Sequence, residues 1–202
     1  MTRTTSSAIS ISIFLLATLF QTSSWGAERS LRQPPNSLKV QSPDKKMKIV
    51  FLNASQNRDG NTASLAKATL KGLEIKSVNL VDFHLDQIGQ VSKLDQKKQI
   101  IEQIEKSQVL IVGTPVYWSD MTGYLKTFID RLDLDTDKDR ISGADVYLII
   151  QGTEPSDAIT GITTVIEHVC RRFGLNYKGL IRNNTDASAI NKKLTSEFGT
   201  RG

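Results

Sequence analysis

Ile49-Val-Phe-Leu-Asn-Ala-Ser-Gln-Asn-Arg-Asp-Gly-Asn-Thr62 is the stretch from which the architecture can be read. Its first part belongs to an apolar, β-rich run, Lys48–Asn53, which predicts a buried strand. A small, polar segment containing Gly60 follows. Residues 62–73 then set Leu65, Ala66, Ala68, Thr69 and Leu70 on a helical face, with Gly72 near the stop. The unit is strand, polar loop, helix.

The same unit recurs outward along the chain. Ile75–Leu80 reads as a second, more polar strand, followed by a helical pattern over Leu94–Ser107 carrying Ile100, Ile101 and Ile104. Val109–Gly113 is the most hydrophobic run, as expected of a central strand covered on both faces. Met121–Leu132 is helical, with Tyr124, Leu125, Phe128 and Ile129 on one side. Asp145–Gln151 is a fourth strand, Asp157–Phe173 a long helix ended by Gly174, Leu175–Arg182 a fifth strand and Ala187–Phe198 a final helix. Five strand–helix units without hairpin signals or an internal repeat predict an α/β fold: a doubly wound, five-stranded parallel sheet in three αβα layers. Ligands of such sheets bind at strand carboxyl ends where the strand order reverses. In the order 2-1-3-4-5, strands one and three flank that point.

The loop after strand one has the chemistry of a phosphate cradle. Gly60 lets backbone approach an anion, and Asn61 or Thr62 can cap the next helix, leaving first-turn N–H groups directed at a phosphate. Ser55, Asn57, Asn61 and Thr62 supply side-chain donors, and Arg58 a counter-charge. An ordinary polar strand-to-helix turn has the same composition. Neither Gly-x-Gly-x-x-Gly nor Gly-x4-Gly-Lys-Ser/Thr occurs, which excludes the dinucleotide and Walker-type loops.

The loop after strand three, Thr114-Pro-Val-Tyr-Trp118, has the chemistry of a platform for a flat ring. Pro115 sets the exit direction of the chain, and Val116, Tyr117 and Trp118 present broad apolar surface where the sheet ends. Core packing or a subunit interface would use the same aromatics. Together the two loops imply a phosphorylated, planar cofactor, and FMN is the simplest candidate.

Composition narrows the alternatives. The 202 residues suffice for one well-buried domain, and the net charge is +5. Residues 1–46 carry six basic and two acidic side chains, leaving 20 basic and 19 acidic ones for 47–202. A near-neutral domain has no field able to neutralise many phosphates, so no nucleic-acid partner is expected. One cysteine, Cys170, excludes an intramolecular disulfide and a cysteine-rich iron–sulfur site, and its apolar helical setting predicts a buried structural thiol.

At the N-terminus, Ile9–Phe20 is an apolar run preceded by Arg3 and followed by Ser24-Trp-Gly-Ala27, the layout of a signal peptide over residues 1–27. It is too short for a stable membrane span. A start at Met47, with residues 1–46 a misassigned leader, accounts for the sequence equally. Residues 28–46, with Pro34, Pro35 and Pro43, read as a disordered linker, which places the domain at 47–198.

Other constellations lose their force on inspection. Asp133, Asp135, Asp137 and Asp139 alternate like the start of an EF-hand, but Lys138 and Ala144 stand where that loop needs glycine and glutamate. His84 and His168 lack a ligand partner at i+4, and no metal site is expected. No Gly-x-Ser-x-Gly elbow exists, which removes the main hydrolase reading.

Residues 47–198 resemble the NADPH-dependent FMN reductase family of the flavodoxin-like fold. The resemblance rests on Ser55–Thr62, similar to Ser-x-Arg-x-x-Gly-Asn-Thr, on Thr114-Pro-Val-Tyr-Trp118 continuing into Leu125-Lys-Thr-Phe-Ile-Asp-Arg131, and on Gly174-Leu-Asn-Tyr-Lys-Gly179. Asn57 stands where the family often has arginine, and Arg58 follows one step later. The resemblance implies that Ser55, Asn61 and Thr62 hold the FMN phosphate. It further implies that Pro115–Trp118 border the ribityl chain and ring, and that Gly152, Thr153 and Glu154 close the other side. It also implies an FMN-dependent oxidoreductase taking hydride from NADPH or NADH and reducing a small acceptor, such as a quinone, flavin, nitro or azo compound, in a homodimer or homotetramer. The cofactor carries the redox chemistry, so no catalytic acid–base pair is required. A flavodoxin-like electron carrier and a flavin-free interaction protein are the alternatives. Use of nicotinamide favours the cytoplasm, whereas the leader-like segment favours export.

Overall fold

A computed structural model describes residues 48–199; the signal-like segment, the linker and the alternative start at Met47 lie outside them. In chain order the elements are β1 (Ile49–Asn53), α1 (Asn61–Thr69), β2 (Ile75–Asn79), a 3-10 turn (Leu80–Asp82), α2 (Lys97–Ile104), β3 (Val109–Tyr117), β4 (Asp120–Met121), α3 (Gly123–Asp130), α4 (Lys138–Ile141), β5 (Asp145–Gln151), α5 (Ser156–Phe173), β6 (Asn176–Ile181) and α6 (Asn184–Phe198).

Side-chain alternation along the strands builds the layers. Ile49 and Phe51 join Val109, Ile111, Tyr147, Ile149 and Ile181 on one face, covered by Ala63, Leu65, Ala66 and Leu70 of α1 and its flank and by Ala187 and Leu194 of α6. Val50 and Leu52 face the other way with Leu110, Val112, Val146, Leu148 and Ile150. There they meet Ile100, Ile101 and Ile104 of α2, Leu125 and Phe128 of α3 and Ile162, Ile166 and Cys170 of α5. Each fully buried Leu or Ile contributes about 1.5–3 kcal/mol relative to exposure, so this two-sided core dominates the folding energy.

The long strands run in the parallel order β2-β1-β3-β5-β6, the doubly wound arrangement with its reversal between β1 and β3. Tyr147 pairs with Gly179 across a bulge, where φ of +153° suits a residue without Cβ. Gly174 ends α5 at φ +67°, and Leu175 N–H returns to Cys170 O at 2.9 Å. Asn191 of α6 donates to Thr69 O and Lys71 O, both at 2.9 Å, satisfying carbonyls at the end of α1.

Two sequence expectations are corrected here. β3 does not stop at Gly113: Thr114 and Pro115 pair with Ile150 and Gln151 of β5. The chain then makes a hairpin the sequence did not signal, with Val116 opposite Met121 and Tyr117 opposite Asp120. Its central residues, Trp118 and Ser119, have φ of +52° and +60°, the geometry normally supplied by Asn-Gly. Ser119 is held by a hydrogen bond from its hydroxyl to Asp157 at the start of α5. Among the described residues no helix is long and apolar enough to cross a membrane.

Candidate functional site

The carboxyl end of β1 is organised by Asn53, a fully buried side chain on an otherwise apolar strand. Its Oδ1 accepts from Ser55 N–H at 3.1 Å, and its Nδ2 donates to Asn79 Oδ1 at 3.1 Å and, at 3.4 Å, to the carbonyls of Asn57 and Arg58. Ser55 Oγ accepts from Asn57 N–H at 3.1 Å, which leaves the buried hydroxyl's proton free to donate outward.

The helix cap differs from expectation. Neither Asn61 nor Thr62 caps α1; Gly60 is the N-cap, and no side chain satisfies the first turn. Gly60 O accepts from Ser64 N–H at 2.9 Å, so the N–H groups of Asn61, Thr62 and Ala63 face outward at the positive end of the helix. The φ of Gly60 is −76°, open to any residue. Space explains the glycine instead, because a Cβ there would lie 3.1 Å from Asn57 Cβ.

Facing this turn is the extended end of β3. Backbone groups alternate along a strand, and Gly113 O accepts from Ala54 N–H at 2.8 Å on the β1 side. Residue 115 therefore also points toward β1, beyond its last paired residue, so the missing N–H of Pro115 breaks no ladder bond. Thr114 is fully buried beneath, its Oγ1 accepting from Thr122 N–H at 3.1 Å. Thr122 Oγ1 in turn donates to Ala54 O at 2.8 Å and caps α3 through Leu125 N–H at 3.3 Å. The contact from Thr122 Oγ1 to Ala54 O thus ties the two loops together.

Between them lies a cavity of about 330 Å³, lined by Ser55, Asn57, Gly60, Asn61 and Thr62 on one side and by Pro115, Val116, Tyr117, Gln151, Gly152 and Thr153 on the other. A Cβ on Gly152 would lie 3.3 Å from Val116 Cβ, so glycine keeps this wall thin. Among the described residues, no Asp, Glu, Lys, Arg or His lines the cavity. Gln151 is a wall residue that strand patterning did not single out, and Asn53 and Thr122 are supports that it missed. A polar residue closing an apolar strand was the available signal for Asn53.

Four expected site residues are not in this lining. Thr114 supports it from below. Arg58 donates Nε–H to Asp82 Oδ1 at 2.7 Å, and this pairing raises the guanidinium pKa and holds the carboxyl of Asp82 below its ordinary value. Trp118 is wholly exposed at the hairpin tip, and exposed Glu154 accepts from Ser156 Oγ at 2.9 Å. The counter-charge expected from Arg58 is thus directed to β2's end, because Asp82 offers it a carboxylate there. Burial pushes the Cys170 thiol up to about 11, which makes it unreactive.

FMN suits this geometry: an uncapped helix terminus with neutral donors on one side, and Pro115, Val116 and Tyr117 with Gly152 and Thr153 on the other. The profile of the family described as NADPH-dependent FMN reductase matches residues 47–157. YwqN of Bacillus subtilis (strain 168), named as an NAD(P)H-dependent FMN-containing oxidoreductase, is 28% identical over 152 residues, covering 67% of this chain and 83% of its own. An iron–sulfur flavoprotein of Archaeoglobus fulgidus is 26% identical over 98 residues, covering 42% of this chain and 48% of its own. The fold is shared with the Trp repressor binding protein from Bacillus subtilis, at a TM-score of 0.57 and 24% identity over 71% of this chain and 98% of that one. This chain belongs to the NADPH-dependent FMN reductase family, and so to the FMN-containing oxidoreductases that draw on NAD(P)H.

Proposed function

We infer that the cavity between the two loops holds FMN with its phosphate at the start of α1 and its ring in the slot between Pro115–Tyr117 and Gly152–Thr153. The observation that carries this reading is the coincidence, in one cavity at the sheet's reversal point, of an uncapped helix terminus and a wall formed by Pro115, Val116 and Tyr117. When bound, FMN supplies the redox chemistry, taking a hydride equivalent from NADPH or NADH and yielding two electrons to a small acceptor.

The chain's own part is binding and orientation. Asn61, Thr62 and Ala63 offer backbone N–H groups to the phosphate, and Ser55 offers the hydroxyl proton that Asn57 N–H leaves free. Asn57, Asn61 and Thr62 add side-chain donors. Every donor is neutral, so affinity rests on preorganised hydrogen bonds and the helix terminus more than on a salt link, with Arg58 contributing only at a distance. Val116 and Tyr117 give the ring an apolar wall, and Thr114 holds that wall in place through Thr122. Trp118 and Glu154 stand at the rim. A fully exposed tryptophan on a rigid hairpin is surface for a second copy of the chain, and we read the active form as a homodimer or homotetramer.

The acceptor is a small molecule of the quinone, flavin, nitro or azo type. Residues 47–198 constitute the working domain, and its use of nicotinamide favours the cytoplasm. Anaerobic titration of the purified full chain tests the reading. Stoichiometric uptake of FMN followed by bleaching with NADPH or NADH is expected. A yellow protein that both nucleotides leave oxidised makes this an electron carrier, and failure to take up FMN makes it an interaction module.

A further inference from the structure

The two ends of the sheet carry opposite charge. Its long strands run parallel and the crossover helices return between them, so strand starts and helix ends meet at the pole opposite the cavity. Backbone bonds stitch this pole together. Gln108 N–H donates to Lys48 O, Asp145 N–H to Gln108 O and Asn176 N–H to Ala144 O, each at 2.9 Å. Exposed Lys71 and Lys76 lie on either side of the start of β2, exposed Lys106 precedes β3, and exposed Arg171 and Arg172 end α5.

Little on this pole offsets them. Glu105 is taken by Arg140 at 2.8 Å and Asp145 by Lys178 at 3.3 Å, while Glu74 stands between two lysines in sequence. Lys106, Arg171 and Arg172 form no ion pair among the described residues. Lys106 also holds φ +56° directly after the C-cap Glu105, a position that glycine or asparagine usually fills. A charge is kept there against the backbone's preference. Burial first, and then the charges of Lys76 and Lys106, hold the Lys48 ammonium below its ordinary value, although its Nζ donates to Glu105 O at 2.7 Å. At the cavity end the sign reverses. Asp120, Glu154 and Asp157 are exposed there and form no ion pair among the described residues. The 20 basic and 19 acidic residues of 47–202 thus hide a separation of charge along the strand axis.

Five strands about 4.8 Å apart spread the basic groups over a face roughly 20 Å wide rather than around a hollow. That distribution fits an extended anionic surface, not a small anion. By sequence, the chain enters this pole through Lys45, Lys46 and Lys48, and residues 1–46 hold six basic and two acidic side chains. They also hold the apolar run Ile9–Phe20. An apolar segment and a basic cluster are the two signals that stable peripheral attachment to a bilayer takes, and nucleic acid would use only the second.

We propose that the pole at the strand starts docks this protein on an anionic phospholipid surface, with the cavity turned to the aqueous side. The carboxylates of the cavity end are repelled by the same lipids, which sets the orientation. The proposal stands whatever the cavity holds.

The test mixes the full chain with vesicles of phosphatidylcholine alone or of its equimolar mixture with phosphatidylglycerol, and measures the bound fraction by sedimentation. Binding is expected to be about a hundredfold tighter to the anionic vesicles and to weaken as salt is raised. Lys76→Glu, Lys106→Glu and Arg172→Glu combined should remove most of that difference, at roughly fivefold for each basic group near the surface. Lys93→Glu, Lys98→Glu and Lys192→Glu combined change the net charge equally on other faces, and should leave affinity within about threefold of wild type. Thermal unfolding checks that each variant folds; should the first not fold, Lys71→Glu with Arg171→Glu asks the same question. Equal losses in the two sets, equal binding to both vesicles, or binding to neither overturn the proposal. Retention by single-stranded DNA without vesicle binding overturns it too, and makes the pole a nucleic-acid face. In Trp25→Phe protein, brominated phosphatidylglycerol should leave the fluorescence of Trp118 unquenched. Quenching there would turn the cavity toward the bilayer and overturn the orientation.

Discussion

Thr122 Oγ1 lies 2.8 Å from Ala54 O, and this hydrogen bond joins the turn after β1 to the hairpin after β3 across 68 residues. The same oxygen caps α3, so one buried hydroxyl sets the spacing of two loops and the start of a helix. Thr122→Val keeps the shape but leaves Ala54 O unpaired inside the protein. It is expected to destabilise the fold by about 1–3 kcal/mol in urea unfolding. FMN affinity should fall with it, because the cavity's two walls lose their tie.

Gly60→Asp addresses the uncapped terminus directly. The N-cap geometry is already correct, so the new carboxylate would accept from first-turn N–H groups and occupy the place assigned to the phosphate. Thermal stability is expected to stay level or fall slightly, since the few tenths of a kcal/mol that aspartate gains over glycine at an N-cap are set against a Cβ 3.1 Å from Asn57 Cβ. FMN binding, followed by fluorescence quenching, should drop at least a hundredfold. Undiminished affinity would place the phosphate elsewhere.

Gly113 sits where β3 passes beneath α1. A Cβ added there would come within 2.7 Å of Thr62 Cγ2 and 2.8 Å of Phe51 Cε2. Gly113→Ala is expected to cost about 1–3 kcal/mol, as overpacking in a dense core does. By displacing Thr62 it should also weaken FMN binding, and a crystal structure of the variant would show that shift.

Trp118 carries a backbone cost with no intramolecular packing to offset it, for φ is +52° and the side chain is wholly exposed. Trp118→Gly is expected to raise stability by about 1 kcal/mol, the order of a relieved left-handed non-glycine residue. If the hairpin tip serves the ring or a second copy, flavin affinity or oligomeric state measured by light scattering will suffer in the same variant. A change in neither would leave the tryptophan without a role in this site.

The Asp95–Arg131 fork makes stability depend on pH in a defined window. Hydrogen bonding from Arg131 lowers the carboxyl of Asp95 from 3.8 to about 2, and both side chains are only 9% exposed. A depressed folded value means the stabilisation is complete above the ordinary value and lost as pH falls toward 2. Wild type should therefore lose stability over that interval more steeply than Asp95→Asn. Urea midpoints at pH 2.5, 4 and 7 check this, and parallel profiles would refute it. Other carboxylates, Asp82 and Asp86 among them, are also depressed, so the difference between the two proteins is the informative quantity.

Strand identity and order were legible because hydrophobic runs and their alternation with amphipathic helices are local properties. Asp145–Gln151 is the same span in sequence and structure, and both marked loops do come to the reversal point of the sheet. Boundaries were less legible. The N-terminal helix pattern starting at Leu94 yields to a loop as far as Gln96, because Asp95 is taken by Arg131, 36 residues away. The hairpin at Trp118-Ser119 carries no glycine or asparagine, so nothing in its composition announces a turn that β5, α5 and Thr122 impose from outside.

Residue types and their periodicity were enough to settle the class of fold, the placing of a small polar loop and an aromatic loop at strand ends, and the kind of cofactor those loops suit. Which side chains face the cavity was settled only by distant partners. Asp82 draws Arg58 away, Asn53 shapes the first loop from beneath, and Arg131 grips Asp95 from 36 residues away. Periodicity encodes which face of an element is buried, but a charged or polar side chain goes to whichever partner the folded chain brings within about 3 Å, and that is a property of three dimensions.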